Sequence, residues 1–137
     1  MSYAIAYLGV VVVFGAIDAG WLSLMGPVLY RPALADILAP ALRAGPAIAF
    51  YLIYPVGVVV FAVLPGLRAG QVSGAFLRAL LFGAIAYATY DLTNYATLRN
   101  WTLQITIIDI VYGALASGIA ATAACLLLRV TGFSSAS

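Results

Sequence analysis

Long apolar stretches separated by short polar breaks set the pattern of this chain. Four of the stretches reach the length of about 20 residues that a helix needs to cross a bilayer. Their approximate bounds are Tyr3–Met25, Pro46–Leu64, Gly74–Tyr95 and Leu103–Leu128. Because short loops make consecutive helices antiparallel, the pattern predicts an all-α membrane protein with four transmembrane helices in an antiparallel bundle.

The breaks between these stretches predict one domain. The first loop, from Pro27 to Gly45, is the longest, and residues 33–42 within it are candidates for a short interfacial helix. Residues 1–129 then form a single four-span transmembrane domain, and residues 130–137 form a short polar tail. The first span is expected to be retained, because no basic residue precedes Arg31 as a cleaved signal peptide would require.

The composition supports a membrane location and excludes several partners. The chain is 66% hydrophobic and only 7% charged, whereas about a quarter of the residues in a soluble domain are charged. No basic run is present, so nucleic acid is not expected as a partner. The chain has no His, which removes the commonest metal ligand and the usual axial ligand of haem. We therefore expect no metal site and no cofactor.

Three of the four acidic residues lie inside the predicted spans, and they are the most informative residues of the chain. An Asp at the centre of a bilayer costs about 2.5–3.5 kcal/mol, so such residues usually face the bundle interior. Asp18 lies about 10 Å from the end of its span, and Asp91 and Asp109 lie about 9 Å from the corresponding ends of theirs. The sequence therefore predicts one cluster of three carboxyls at a single level.

The second span adds polar groups at a similar depth. Tyr51 and Tyr54 lie about two turns from its start, and Pro55 follows them. A proline deprives the carbonyl four residues earlier of its helical partner, and that carbonyl belongs to Tyr51. Either this carbonyl faces the acids as a free acceptor, or the helix has a simple kink that a neighbouring hydroxyl satisfies.

Helical spacing groups further residues with the acids. Tyr87, Asp91 and Asn94 follow an i, i+4, i+7 spacing, so Tyr87 and Asn94 are expected to hydrogen-bond the carboxyl between them. Trp21 shares a face with Asp18, and Tyr112 shares one with Asp109. Arg99 is the only cation near Asp91 in sequence. The candidate ligand-binding residues are Asp18, Trp21, Tyr51, Tyr54, Tyr87, Asp91, Asn94, Arg99, Asp109 and Tyr112.

Each of these features also has a purely structural explanation. Trp101 and Tyr30 fit an aromatic belt at the membrane interface, and Arg99 fits a side chain that snorkels to head groups. The acids themselves can serve to join helices through hydrogen bonds. Small residues along the first and fourth spans are expected to provide helix-packing faces, namely Gly9, Gly15 and Gly20, and the pairs Gly113–Ser117 and Ala114–Gly118.

The string YATYDLTNYATLRNW, from Tyr87 to Trp101, resembles the signature of a bacterial membrane family called domain of unknown function 2177. The FYLIYPVGVVVFAVLP stretch and the Asp18–Trp21 pair are also similar to it, so the resemblance covers nearly the whole chain. It implies a four-span protein of the bacterial inner membrane with no established activity. Both termini are expected to be cytoplasmic, because their side carries slightly more positive charge.

Three kinds of function remain open. The acids fit the binding or movement of a proton, a cation or a small cationic ligand, with at least one acid protonated at pH 7 or a cation among them. Alternatively, an acid pair near the head groups fits a lipid-modifying enzyme or its partner. A third possibility is an accessory subunit of a larger membrane complex. Besides the lipid bilayer, a homodimer is a possible partner, because four helices alone make a narrow transport path.

Overall fold

The computed structural model describes residues 2–131 as four long helices, and residues 1 and 132–137 lie outside the described part. The helices are α1, made of Ser2–Met25, Gly26–Tyr30 and Arg31–Leu34; α2, made of Ala44–Val58, Val59–Val63 and Leu64–Arg68; α3, Val72–Thr97; and α4, Leu103–Thr131. The middle section of both α1 and α2 is a single π-helical turn. All four are long and apolar enough to cross a membrane. The predicted fold class is therefore confirmed.

The end of α1 differs from the sequence prediction. Pro27 does not break the helix, because it opens the π-helical turn, where the missing N–H of proline is tolerated as in any first helical turn. The helix continues to Leu34, and residues 35–43 form turns and irregular chain. The interfacial helix expected at 33–42 is therefore wrong. Most of the polar tail expected at 130–137 lies outside the described residues.

The other connections are short, and recognisable signals end the helices beside them. Gly70 has a φ of 69° and follows the end of α2, where a glycine can adopt the left-handed conformation without strain. The hydroxyl of Thr102 accepts a hydrogen bond from the Ile105 N–H at 3.0 Å and thereby caps the start of α4. On the same side of the bundle, Asn100 donates to Asp36 at 3.3 Å and joins the first connection to the third.

Small residues let α3 and α4 approach each other closely. A side-chain carbon at Gly83 would overlap the Gly113 carbonyl and the Ser117 side chain, and one at Gly118 would overlap the Phe76 ring. The packing role predicted for these positions in α4 is thus confirmed. For α1 it is wrong at Gly15 and Gly20, where an added carbon would meet open space.

The two halves of the bundle have different interiors. We call the half that holds residues 35–43 and 98–102 the loop half, and the half that holds residues 69–71 the terminal half. The buried side chains of the terminal half are almost all apolar, among them Ala6, Val10, Ala62, Val63, Ala121, Ala124 and Leu128. The buried acids all belong to the loop half. Polar chemistry in the core is therefore confined to one side of the bundle.

Candidate functional site

Asp18 is the centre of the first of two acidic sites. Its side chain is only 6% exposed. The Tyr112 hydroxyl donates a hydrogen bond to Asp18 Oδ1 at 2.7 Å, and the Tyr51 hydroxyl donates to Oδ2. Two hydroxyl donors from α2 and α4 compensate the burial of a carboxylate on α1. This site accordingly holds three helices together and leaves neither carboxylate oxygen without a partner.

Trp21 lies one turn beyond Asp18 and connects this site to the second acidic site, which is formed by Asp91 and Asp109. The Trp21 ring stacks on the Tyr112 ring, with centroids 4.2 Å apart and planes inclined by 11°. The Trp21 Nε1 donates to the Tyr30 hydroxyl at 3.0 Å, and that hydroxyl donates to Asp109 Oδ1 at 2.5 Å. A continuous series of contacts thus joins the two sites across α1 and α4.

Tyr30 is a site residue that the sequence interpretation missed. It follows Trp21 by nine residues, about two and a half α-helical turns, which places the two side chains on opposite faces of a regular helix. The π-helical turn at Gly26–Tyr30 takes an extra residue per turn and rotates Tyr30 back towards Trp21. The Tyr30 hydroxyl therefore belongs to the acidic site, and no periodic signal in the sequence reveals this role. That Tyr30 also lies in an aromatic belt at the membrane interface stays a prediction.

Asp91 is the most unusual residue of the second site. Its side chain is fully buried, and neither carboxyl oxygen has a hydrogen-bond partner among the residues that the structure describes. The neighbouring acidic group is the carboxyl of Asp109 on α4. Two ionised carboxylates cannot hydrogen-bond each other, because each can only accept. The geometry suits one proton held between the two acids.

Tyr87 and Asn94 do not hydrogen-bond Asp91 as the helical spacing predicts. The Tyr87 ring instead fills the space over Gly113, where any side-chain carbon would overlap it. There it makes edge-on contact with the Tyr112 ring, at a centroid distance of 6.2 Å and an angle of 81°. Asn94 is half-buried further along α3. The prediction is wrong because Gly113 gives the aromatic ring a better-packed position than one beside the carboxyl.

Tyr54 forms a separate polar contact deeper in the bundle. Its hydroxyl lies 2.6 Å from the Ser117 hydroxyl of α4. Its ring lies 5.0 Å from the Phe14 ring and 5.5 Å from the Phe82 ring. Ser117 was expected only as a small packing residue, and a serine in a helix interface also supplies a hydrogen bond. This contact marks the border between the polar and the apolar half of the core.

Pro55 lies inside α2 without ending the helix, and a π-helical turn follows it at Val59–Val63. The Tyr7 hydroxyl donates to the Leu52 carbonyl at 2.8 Å. The Leu52 carbonyl is next in sequence to the Tyr51 carbonyl, which is the one that Pro55 leaves without its helical partner. The proposal that the Tyr51 carbonyl serves as a free acceptor for the site stays a prediction.

The structure does not bring Arg99 to the acids, because its side chain is exposed in the turn after α3. Among residues 2–131, no group of three His, Cys, Asp or Glu side chains could hold a metal ion. Asp18 is connected to Asp109 through the stacked rings of Tyr112 and Trp21 and through the Tyr30 hydroxyl. That all three carboxyls lie at a single level as one cluster stays a prediction.

Comparison with known families identifies the chain. The profile of the family described as "Predicted membrane protein (DUF2177)" matches residues 3–126. The chain belongs to the DUF2177 family. No curated protein and no solved structure shows a significant match to it.

As a DUF2177 protein, the chain is a multi-pass integral membrane protein. The matched residues include both acidic sites and the whole of the Trp21–Tyr30 connection. The family description specifies no ligand or reaction, so the chemistry has to be argued from the sites. In the first site both oxygens of Asp18 accept hydrogen bonds. In the second site, Asp91 has no donor in the part of the chain that the structure describes.

Proposed function

We propose that this DUF2177 protein binds one exchangeable proton on the Asp91–Asp109 pair, and that a small cation can take the place of that proton. The observation that carries the proposal is the full burial of Asp91 without any hydrogen-bond partner among the described residues. The best-supported binding residues are Asp91, Asp109 and Tyr30. Asp18, Trp21 and Tyr112 support them from the neighbouring site.

The energetic argument follows from the surroundings of each acid. Tyr30 donates to Asp109, so a negative charge on Asp109 is stabilised. Asp91 has no donor among the described residues, and an unpaired buried charge costs on the order of several kcal/mol. A proton on Asp91, donated to Asp109, removes that cost and satisfies both groups. If the proton leaves, two adjacent carboxylates remain in a site of low dielectric, and only a cation can compensate them.

The same structure favours a binding site over a continuous channel. Beyond the Tyr54–Ser117 contact, the core of the terminal half consists almost entirely of Ala, Val and Leu side chains. These side chains offer no hydrogen-bonding path for a proton. We therefore propose that the proton enters and leaves through the loop half. Movement across the membrane would then require a rearrangement or a second copy of the chain.

Infrared spectroscopy of the purified protein in nanodiscs tests the proton directly. At pH 7 the wild type should show the C=O stretch of a protonated carboxyl, and Asp91→Asn should abolish it. Asp36→Asn is the matched control, because Asp36 is exposed and accepts a hydrogen bond from Asn100. That variant should keep the band. Four ionised carboxyls at pH 7, or a band that survives in Asp91→Asn, would exclude the proposed site.

A second experiment tests the competition with cations. Addition of Na⁺, and separately of methylammonium, to lightly buffered protein should release protons from the wild type but not from Asp91→Asn. The release should saturate at one proton per chain if the pair holds one. A protonated carboxyl whose proton no cation displaces would restrict the proposal to proton binding. Acids without exchangeable protons would instead fit an accessory subunit with structural carboxyls.

We also propose that the protein lies in the bacterial inner membrane with both termini in the cytoplasm. The terminal half carries Arg68, Arg78 and Arg129, whereas the opposite ends of the helices carry three arginines partly offset by Asp36. This distribution supports the orientation through the positive-inside rule. The loop half, with the acid pair, would then open towards the outside. Labelling of a single cysteine introduced at Leu42 in intact cells, in a Cys125→Ser background, tests the orientation.

A further inference from the structure

A long groove runs along the outer face of the bundle between α1 and α4. It has a volume of about 580 Å³ and is lined almost wholly by apolar atoms. Gly20 and Trp21 form part of its α1 wall, and Val111, Leu115 and Ile119 form part of its α4 wall. The missing side chain of Gly20 leaves the groove open, because a carbon added there meets nothing within 4 Å. The groove faces outward from helices that span a membrane, so it faces lipid.

A second cavity continues the groove towards the loop end of the bundle. It has a volume of about 370 Å³, and Ile108 lines both cavities. Unlike the groove, this cavity has polar side chains in its wall, Thr102 and Gln104 at the start of α4. Pro32 of α1 lines the opposite side, and the neighbouring Arg31 is exposed. The two cavities share Ile108 and together form an apolar slot that ends in a mouth with polar side chains, and the exposed Arg31 is next in sequence to a residue of its wall.

We propose that this slot binds an anionic phospholipid of the surrounding bilayer, with one acyl chain in the groove and the head group at the mouth. The shape and the chemistry match an amphiphile, because the apolar section lies at membrane depth and the polar section lies at the surface. The charge also matches, because the loop end carries Arg31, Arg43 and Arg99 against a single acid, Asp36. This proposal goes beyond proton binding and rests on different residues, except for Trp21 and Tyr112.

Trp21 offers a direct probe of the acyl chain. The chain contains two tryptophans, and Trp101 can be replaced by Phe because its Nε1 has no hydrogen-bond partner among the described residues. In this background, phospholipids with brominated acyl chains should quench the Trp21 fluorescence. Brominated phosphatidylglycerol diluted into phosphatidylcholine should quench more strongly than brominated phosphatidylcholine at the same mole fraction. Arg31→Gln should reduce this preference.

A matched pair of glycine variants tests whether the groove is the site. Gly20→Leu places a side chain in the groove and should lower both the quenching and the preference for the anionic lipid. Gly15→Leu is the control, because Gly15 also faces open space on α1 but does not line the groove. Native mass spectrometry of the variants with wild-type Trp101 provides a second readout, in which Gly20→Leu should lose retained phosphatidylglycerol and Gly15→Leu should keep it.

Two results would overturn the proposal. Equal quenching by both brominated lipids, unchanged by Gly20→Leu, would mean that only ordinary boundary lipid contacts the groove. Weak quenching together with a dimer that Gly20→Leu dissociates would mean that a second copy of the chain occupies it. Neither result depends on the carboxyl band of Asp91. The failure of the lipid site and the failure of the proton site can therefore be distinguished.

Discussion

Asp91 of α3 and Asp109 of α4 are neighbouring carboxyls, but among the described residues only Asp109 receives a hydrogen bond. Tyr30 supplies that bond from the π-helical turn of α1. The two acids therefore have unequal surroundings, which is the basis of the proposed proton site.

Asp91→Asn and Asp18→Asn should have different effects on stability. At position 91 an amide can donate to Asp109 as the proposed protonated carboxyl does, so the free energy of unfolding should change little. At position 18 the amide replaces one of two acceptor oxygens that serve Tyr51 and Tyr112. The free energy of unfolding should therefore fall by about 1–3 kcal/mol in Asp18→Asn. Thermal unfolding in one detergent measures both, and a larger loss for Asp91→Asn would contradict the assignment.

Tyr30→Phe should disconnect the two acidic sites. The substitution leaves Trp21 Nε1 without its acceptor and Asp109 Oδ1 without its donor. Each orphaned buried group costs about 1–3 kcal/mol. The free energy of unfolding should therefore fall. The fluorescence emission of Trp21, measured in the Trp101→Phe background, should also change. Tyr95→Phe is the control, because Tyr95 is 44% exposed, and equal effects of the two variants would argue against the connection.

Gly113→Ala should weaken the contact between α3 and α4. The added methyl group would overlap the Tyr87 ring, so the ring or the helix must move. Overpacking of this kind typically costs about 1–3 kcal/mol. Gly15→Ala should instead be neutral or stabilising by up to about 1 kcal/mol, because Gly15 faces open space and alanine favours helix. Similar melting temperatures for the two variants would show that the close approach is unimportant.

Ser117→Ala should destabilise the bundle by about 0.5–1.5 kcal/mol, because the Tyr54 hydroxyl loses the partner that lies 2.6 Å away. A serine on the outer surface provides the comparison. Ser23 is exposed and bonds only the Ala19 carbonyl of its own helix, so Ser23→Ala should change the stability by less than about 0.5 kcal/mol. Denaturation of both variants in the same detergent gives the difference.

The sequence alone determined the membrane class and the four helices. Apolar length is a local property, so the spans could be predicted from stretches of about 20 residues, and the burial of Asp18, Asp91 and Asp109 followed from the cost of exposing a carboxylate to lipid. The small residues of α4 were recognised for the same reason, because close packing in lipid favours them.

Only the tertiary structure decided which polar groups meet. Helical periodicity assigns residues to a face of one helix, but it says nothing about how neighbouring helices are rotated against each other. The close approach at Gly83 and Gly113 determines that rotation for α3 and α4 and places the Tyr87 ring away from Asp91. The π-helical turn in α1 turns Tyr30 towards Asp109, and Arg99 faces outward after the helix has ended. Such contacts depend on all four helices at once, so a pattern read along one helix could not reveal them.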